Sequence, residues 1–378
     1  AALIPYERSG AIVNNRHLNG LAIAVGFCVV LTGCTSSAAP RPAAVARPAQ
    51  AIRRAATTTP ITHVIIAIQE NRSLDNFFNG YPGANTTQVA TESDGSQVTL
   101  QPAPAAQWGD LRHDYKQFMI DYDNGKMDRF DLEQHLANKK NGLSPNPFTY
   151  TQQSDVQPLW DLAADNVLGD EIFESQRGPS YPAHLFLIAG QADDIVTNPD
   201  GLPWGCDAPP TAFVWVLNSE GQQVKGPFPC FDFPTLAGEL DAAGISWRFY
   251  AVAPNPTQSY SITDFNTYQS IRHIRYGPDW TNDVVTPETQ FFSDVKSGNL
   301  ASVTWLTPRF SNSDHAGGDK DFGPSWIASV ANTIAQSQYA GNTVIFVTWD
   351  DWGGFYDHVA PPTLDPESDG FRVPLLVI

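Results

Sequence analysis

Two apolar runs, each ending in a cluster of acids and amides, constrain this chain most. Thr62–Gln69 (THVIIAIQ) passes directly into Glu70-Asn71-Arg72-Ser73, and Thr343–Thr348 (TVIFVT) passes through Trp349 into Asp350-Asp351-Trp352-Gly353-Gly354. A short apolar run without alternation fits a strand covered on both faces, as in a parallel sheet flanked by helices. In such sheets ligands bind beyond the carboxyl ends of the strands. If the two strands are parallel neighbours, Glu70, Asn71, Asp350 and Asp351 converge on one edge. Carboxylates brought that close repel unless a proton or a cation intervenes. The hard oxygen donors suit Ca²⁺, Mg²⁺ or Mn²⁺, and nearby histidines leave Zn²⁺ or Fe open. The plainer alternatives are that Asn71 or Ser73 N-caps a helix beginning near Leu74, that Glu70 is a surface acid, and that Asp350–Gly354 is a turn.

The remaining pattern alternates. Phe233–Ala243 reads as a helix ended by Gly244, and Ile245–Ala251 as the strand after it. Ser302–Leu306 reads as a further strand, Trp326–Ser337 as an amphipathic helix and Val373–Ile378 as a last apolar strand. Strand alternating with helix predicts an α/β fold with a mostly parallel central sheet flanked by helices. A final strand with no helix after it suggests a domain truncated at its C-terminal end.

Charge separates the chain into two parts. Its 378 residues carry 22 basic and 40 acidic side chains, net −18, which excludes a general nucleic-acid binder. Residues 1–60 hold six Arg and one Glu, so 16 basic and 39 acidic residues, net −23, remain for 61–378. Arg8 and Arg16 precede the 11-residue apolar run Leu21–Leu31, too short to span a bilayer and suited to a secretory signal. Thr32-Gly33-Cys34 resembles the lipobox of bacterial lipoproteins, which makes Cys34 a lipidation candidate; a plain signal peptide or a buried helix is the alternative. Residues 34–60, rich in Ala, Pro, Thr and Arg, read as a disordered tether. The expected division is therefore a signal over 1–33, a tether over 34–60 and a catalytic domain over 61–378. An exported, envelope-anchored, secreted or periplasmic location would let Cys206 and Cys230 form a disulfide; otherwise they are two buried thiols.

At this point the motifs become specific. E-N-R-S-L-D (Glu70–Asp75), G-P-S-Y-P (Gly178–Pro182) and D-D-W-G-G-F-Y-D-H-V (Asp350–Val359) resemble the bacterial phosphoesterase family. That family contains phospholipases C of the non-haemolytic type and a respiratory-burst-inhibiting acid phosphatase, and its fold is related to alkaline phosphatase and the sulfatases. H-D-Y…N-G-K-M-D (His113–Asp128), G-C-D-A-P-P (Gly205–Pro210) and I-R-H-I-R-Y-G-P-D-W (Ile271–Trp280) fit in the same order, so the likeness runs from about Ile61 to Ile378.

The resemblance implies that Asn71, Asp350 and Asp351 bind one or more divalent metal ions with Glu70 beside them, and that Ser180 is the nucleophile. Gly178-Pro179-Ser180 could open a helix whose N–H groups face a phosphate, although an N-cap role is the ordinary reading of Ser180. His113 matches a histidine that contacts the phosphoryl group. His315 would protonate the leaving oxygen, with Asp314 holding its tautomer. His358 is a candidate support behind the metal ligands, whereas His63, His135, His184 and His273 read as surface or structural.

Some positions depart from the family. Leu74 stands where members have Phe, Asp351-Trp352 where they have Glu-His, and Pro182-Ala183-His184 where they have Pro-Asn-Arg. The expected activity is metal-dependent phosphoester hydrolysis through a serine. The substrate is a phospholipid head group or, alternatively, a small phosphomonoester as in an acid phosphatase. A non-catalytic envelope module with a structural Ca²⁺ site would need neither Ser180 nor the two histidines.

Overall fold

The computed structural model describes residues 60–378 other than 107–108, 133–145, 253–265, 318–321 and 366–368. The signal, Cys34, the tether up to residue 59 and His135 lie outside the described residues.

Seven strands form the central sheet: β1 (His63–Gln69), β2 (Val167–Gly169), β3 (Trp247–Tyr250), β4 (Val284–Val285), β5 (Val303–Leu306), β6 (Thr343–Trp349) and β7 (Leu375–Val377). Their order across the sheet is β4-β3-β5-β1-β6-β7-β2. The expected parallel pairing holds from β4 through β6. It fails at β7, which runs antiparallel to both β6 and β2, so the sheet is mixed. The reason lies in the connection. A parallel return needs a crossover, usually a helix, and no helix lies among the described residues between β6 and β7.

The flanking helices are α1 (Leu74–Phe77), α2 (Tyr115–Tyr122), α3 (Gln153–Asp165), α4 (Ser180–Ala189), α5 (Leu236–Ala243), α6 (Gln290–Ser297) and α7 (Gly323–Ala335). Alternation along β1 explains why both faces are covered. Ile65 and Ala67 pack with apolar residues of α1, α3, α6 and α7, whereas Ile66 and Ile68 join the cluster containing α4 and α5. A third cluster is aromatic, built around Phe118, Phe130, Trp352, Tyr356 and Phe371.

Element ends follow local chemistry. α5 begins at Leu236 rather than Phe233 because the Thr235 side chain accepts from the Gly238 N–H; Gly244, at φ 67°, ends it in the left-handed conformation. α7 begins ahead of the expected Trp326, with Pro324 in its first turn, where a missing N–H costs nothing. The Cys206–Cys230 disulfide forms, with Cα atoms 4.5 Å apart. No helix among the described residues is long and apolar enough to cross a membrane.

Candidate active site

The site is built where three adjacent parallel strands end. β1 and β6 are in register to their last residues, Gln69 opposite Trp349, so Glu70-Asn71 and Asp350-Asp351 leave the sheet side by side. The Asp350 N–H donates to the Gln69 carbonyl at 3.0 Å, and the Glu70 N–H to the Ser313 carbonyl at 2.7 Å, which ties in the loop after β5. Asn71 turns the chain with φ 60°, a region that Asn tolerates better than most residues. Its N–H donates to Asp350 Oδ1 at 2.9 Å. Gly353 closes over this turn, and a Cβ there would lie 2.1 Å from the Asn71 carbonyl oxygen.

Ser73 is the residue that caps α1, accepting from the Asn76 N–H at 3.1 Å. Asn71 is left for the site. Arg72 is fully buried, its guanidinium over the rings of Phe77 and Phe355, and its Nε donates to the Asp314 carbonyl at 2.8 Å. It therefore braces the β5 loop against the β1 loop.

Ser180 is the first residue of α4, after Pro179 at the cap. Its hydroxyl donates to Asp351 Oδ2 at 3.2 Å, while Asp351 Oδ1 accepts from the Gly353 N–H at 2.8 Å. The next N–H of the helix, that of Tyr181, is taken by Asn198 Oδ1. One turn further along α4, His184 faces the same site: its Nε2 lies 2.9 Å from Glu70 Oε1 and 3.6 Å from Asp350 Oδ2.

His113 and His315 close the other side. Their Nε2 atoms lie 2.9 and 3.4 Å from Asn71 Nδ2, and their Nδ1 atoms 2.7 and 2.6 Å from the carbonyls of Leu111 and Ala316. The expectation that Asp314 orients His315 is corrected by this geometry, since the Ala316 carbonyl holds the ring. Asp314 has φ 70°. One of its carboxylate oxygens accepts from the Trp349 indole at 3.2 Å, and the other packs so closely on the start of α7 that a Cβ on Gly323 would meet it at 1.8 Å. An acid at a helix N-terminus is favoured there by the helix dipole.

His358 also lies elsewhere than expected. Its ring pairs with Asp75 Oδ2 at 2.6 Å and reaches Asn85, within a network that includes Asp357 and Arg372. Trp352, standing where the family carries His, is buried in the aromatic cluster and presents its ring at 88° to His113, 6.2 Å between centroids.

Burial and mutual repulsion set the proton affinities. Burial and the neighbouring Asp350 charge push Asp351 well above the carboxylate range, with His113 and the Gly353 N–H opposing. Burial raises Asp350 too, but the nearby His184 imidazole, with Glu70 and the Asn71 N–H, outweighs it and holds Asp350 low. For His113, burial favours the neutral ring; Asp351, Asp110, the Leu111 carbonyl and Asp350 overcome this and raise it to about 9. Glu174 went unnoticed in the sequence. It is a buried acid that burial and the charges of Asp351 and Asp350 push well above its usual range, with one oxygen accepting from the Phe371 N–H.

The donors fit a divalent cation. Asn71 Oδ1 and Asp350 Oδ2 are buried oxygens without a hydrogen-bond partner among the described residues, an arrangement that costs free energy unless something binds there. Glu70, His184 and Asp350 form one group with metal-ligand spacing, and Asp110, His113 and His315 form a second.

An acid-rich, cation-fitting pocket at the strand ends, with a serine at a helix start and two imidazoles facing it, defines the class of a metal-dependent phosphoester hydrolase. The comparison with known families agrees: residues 61–378 match the phosphoesterase family, and the chain belongs to it. Among its relatives are the haemolytic phospholipase C of Pseudomonas aeruginosa, 24% identical over 84% of this chain and 46% of that protein, and phospholipase C B of Mycobacterium tuberculosis, 24% identical over 82% and 62%. Non-specific phospholipase C5 of Arabidopsis thaliana is 23% identical over 85% of this chain and 61% of its own length. The chain thus spans between about half and three-fifths of these curated relatives.

Proposed function

We propose that this chain hydrolyses phosphoesters through Ser180, most naturally as a phospholipase-C-like enzyme releasing phosphorylated head groups from phospholipids. The observation that carries the proposal is the Ser180 hydroxyl bonded to Asp351 directly beside Asp350, Asn71 and Glu70. Three relatives named as phospholipases C support the substrate class. So does a surface cleft of about 750 Å³ that Tyr115, Met119, Ile120 and Trp215 line together with Lys116 and the Arg112–Asp114 ion pair. Its apolar side chains suit an ester that carries acyl chains. The relation to alkaline phosphatase belongs to the same proposal.

Glu70, Asn71, Asp350 and Asp351 would hold a divalent cation, Ca²⁺, Mg²⁺, Mn²⁺ or Zn²⁺, which lowers the hydroxyl pKa of Ser180 and offsets charge on the phosphoryl oxygens. Ser180 Oγ forms a bond to phosphorus as the bond to the leaving oxygen breaks, and its proton passes to Asp351, the carboxylate that accepts its hydrogen bond. His315 gives a proton to the leaving alcohol, while His113 faces the phosphoryl oxygens. Water then attacks the phosphoserine and returns a proton to His315. Asp351 returns its proton to Ser180 as the phosphate leaves.

The location proposed is the cell envelope of a bacterium, by secretion and lipid attachment at Cys34. The disulfide supports an oxidising compartment. The test is parallel hydrolysis of p-nitrophenyl phosphate and p-nitrophenylphosphorylcholine, with and without chelator, by the wild type and Ser180→Ala. The expected result is chelator-sensitive turnover of the choline diester that Ser180→Ala lowers about 10⁴-fold. Turnover of the monoester alone would make the chain an acid phosphatase. Turnover that persists in Ser180→Ala would sink the covalent route.

A further inference from the structure

His184 reads as a structural residue in the sequence, yet it sits inside the site. We propose that His184 is a nitrogen ligand of the catalytic cation and so biases this site toward zinc-class metals over calcium and magnesium; this rests on the metal-dependent reading above. Three observations carry it. Nε2 lies 2.9 Å from Glu70 Oε1 and 3.6 Å from Asp350 Oδ2, so one nitrogen and two oxygens converge with the separations of ligands around one small ion. Asp350 Oδ2, 3.6 Å from that nitrogen, is a buried oxygen without a hydrogen-bond partner among the described residues, and Asn71 Oδ1 is a second. The far nitrogen is also supported: Nδ1 faces the buried Thr267 hydroxyl at 3.4 Å. A ligating imidazole normally donates its other N–H to such a group, which fixes the ring and its tautomer.

The helix explains the placement. Ser180 and His184 are four residues apart on α4, so they project from the same face one turn apart. The residue that carries the hydroxyl and the residue that would hold the cation therefore move as one rigid piece. A site of oxygens alone suits Ca²⁺ or Mg²⁺, whereas an added imidazole favours Zn²⁺ and other transition metals.

The experiment uses the full chain, stripped with chelator and titrated separately with Zn²⁺, Mn²⁺, Ca²⁺ and Mg²⁺ by calorimetry and thermal shift. Bound metal is counted by elemental analysis, and p-nitrophenylphosphorylcholine turnover is followed alongside. The variants are His184→Gln and His184→Arg; the second keeps a cation against Glu70 and Asp350 but has no lone pair to give. Both are expected to weaken Zn²⁺ about 100-fold or more and Ca²⁺ only a few-fold, so that the preference collapses. Pulsed EPR of the Mn²⁺-loaded wild type is expected to show a directly bound nitrogen that His184→Gln removes. An unchanged Zn²⁺-to-Ca²⁺ ratio in both variants, in a wild type that binds metal and turns over substrate, overturns the assignment of His184 alone. Persistence of the nitrogen signal in His184→Gln does the same. A wild type that binds no divalent cation overturns this proposal and the metal-dependent reading together.

Discussion

Two buried clusters of acid and histidine lie close together in the chain, and they solve the same problem differently. In one, Asp357 and Asp75 share the fully buried Arg372, whose Nε and Nη2 hold both oxygens of Asp357 at 2.8 and 3.1 Å; His358 completes it on Asp75. In the other, no lysine or arginine among the described residues pairs with Asp350 or Asp351, and the neighbouring bases are imidazoles. A forked guanidinium matches a carboxylate in shape and is always charged, so the first cluster is complete without an ion. In the second, Asn71 Oδ1 and Asp350 Oδ2 have no hydrogen-bond partner among the described residues, and such oxygens beside like charges call for a cation. The spacing of Asp75, Asp357 and His358 also resembles a metal site. The presence of Arg372, rather than the count of acids, separates a structural network from a candidate active site.

This contrast can be broken by experiment, most severely at the site. Asp350→Asn is expected to lower turnover roughly 10³-fold, because it weakens the hold on the cation. It should also abolish the fall in melting temperature that chelator causes in the wild type. A variant whose melting temperature still responds fully to chelator would move the cation away from Asp350. Next in size is Arg372→Met, which strands Asp357 and Asp75 in the interior. Urea denaturation should show a loss of about 3–5 kcal/mol, with the metal requirement of the folded fraction unchanged. Rescue of that variant by added Mn²⁺ would show that the arginine masks a second cation site and would erase the distinction drawn above.

The smallest effect is expected at His358. Burial favours its neutral ring, but the Asp75 hydrogen bond and the charges of Asp75 and Asp357 outweigh burial and the repulsion of Arg372, so its pKa is raised above 6.5. A raised folded pKa means stability that is fully present below pH 6.5 and is lost as pH rises through the folded value. The ring is partly exposed, so screening keeps the contribution below about 1 kcal/mol. His358→Gln should therefore melt a degree or two below the wild type at pH 6, and the gap should close by pH 9. An equal gap at both pH values would mean that the ring matters by shape and not by charge.

Much of the fold was legible because the signals are local. The apolar runs of β1 and β6 need no partner to be recognised, and the acids that follow them mark the strand ends. Gly244 ends α5 for a reason internal to one residue. The antiparallel course of β7 was not legible, since an apolar strand looks alike in either direction and only the connection decides. At the site, Glu70, Asn71, Asp350, Asp351, Ser180, His113 and His315 were all named from motifs, and they do meet. His184 and Glu174 were not, because a helical histidine and a lone loop glutamate carry no mark of what they will face. Asp314 was assigned to the wrong partner for a related reason. Adjacency in sequence suggested that it served His315, whereas its carboxylate meets Trp349 and α7.

By itself, then, the sequence determined an acidic α/β chain whose polar clusters follow two buried strands, since periodicity and composition are properties of neighbouring residues. The tertiary structure decided which side chains answer those acids. Arg372 reaches Asp357 and His184 reaches Glu70 across the fold, and such pairings depend on how helices seat against the sheet, where long-range packing fixes distances that no local pattern records.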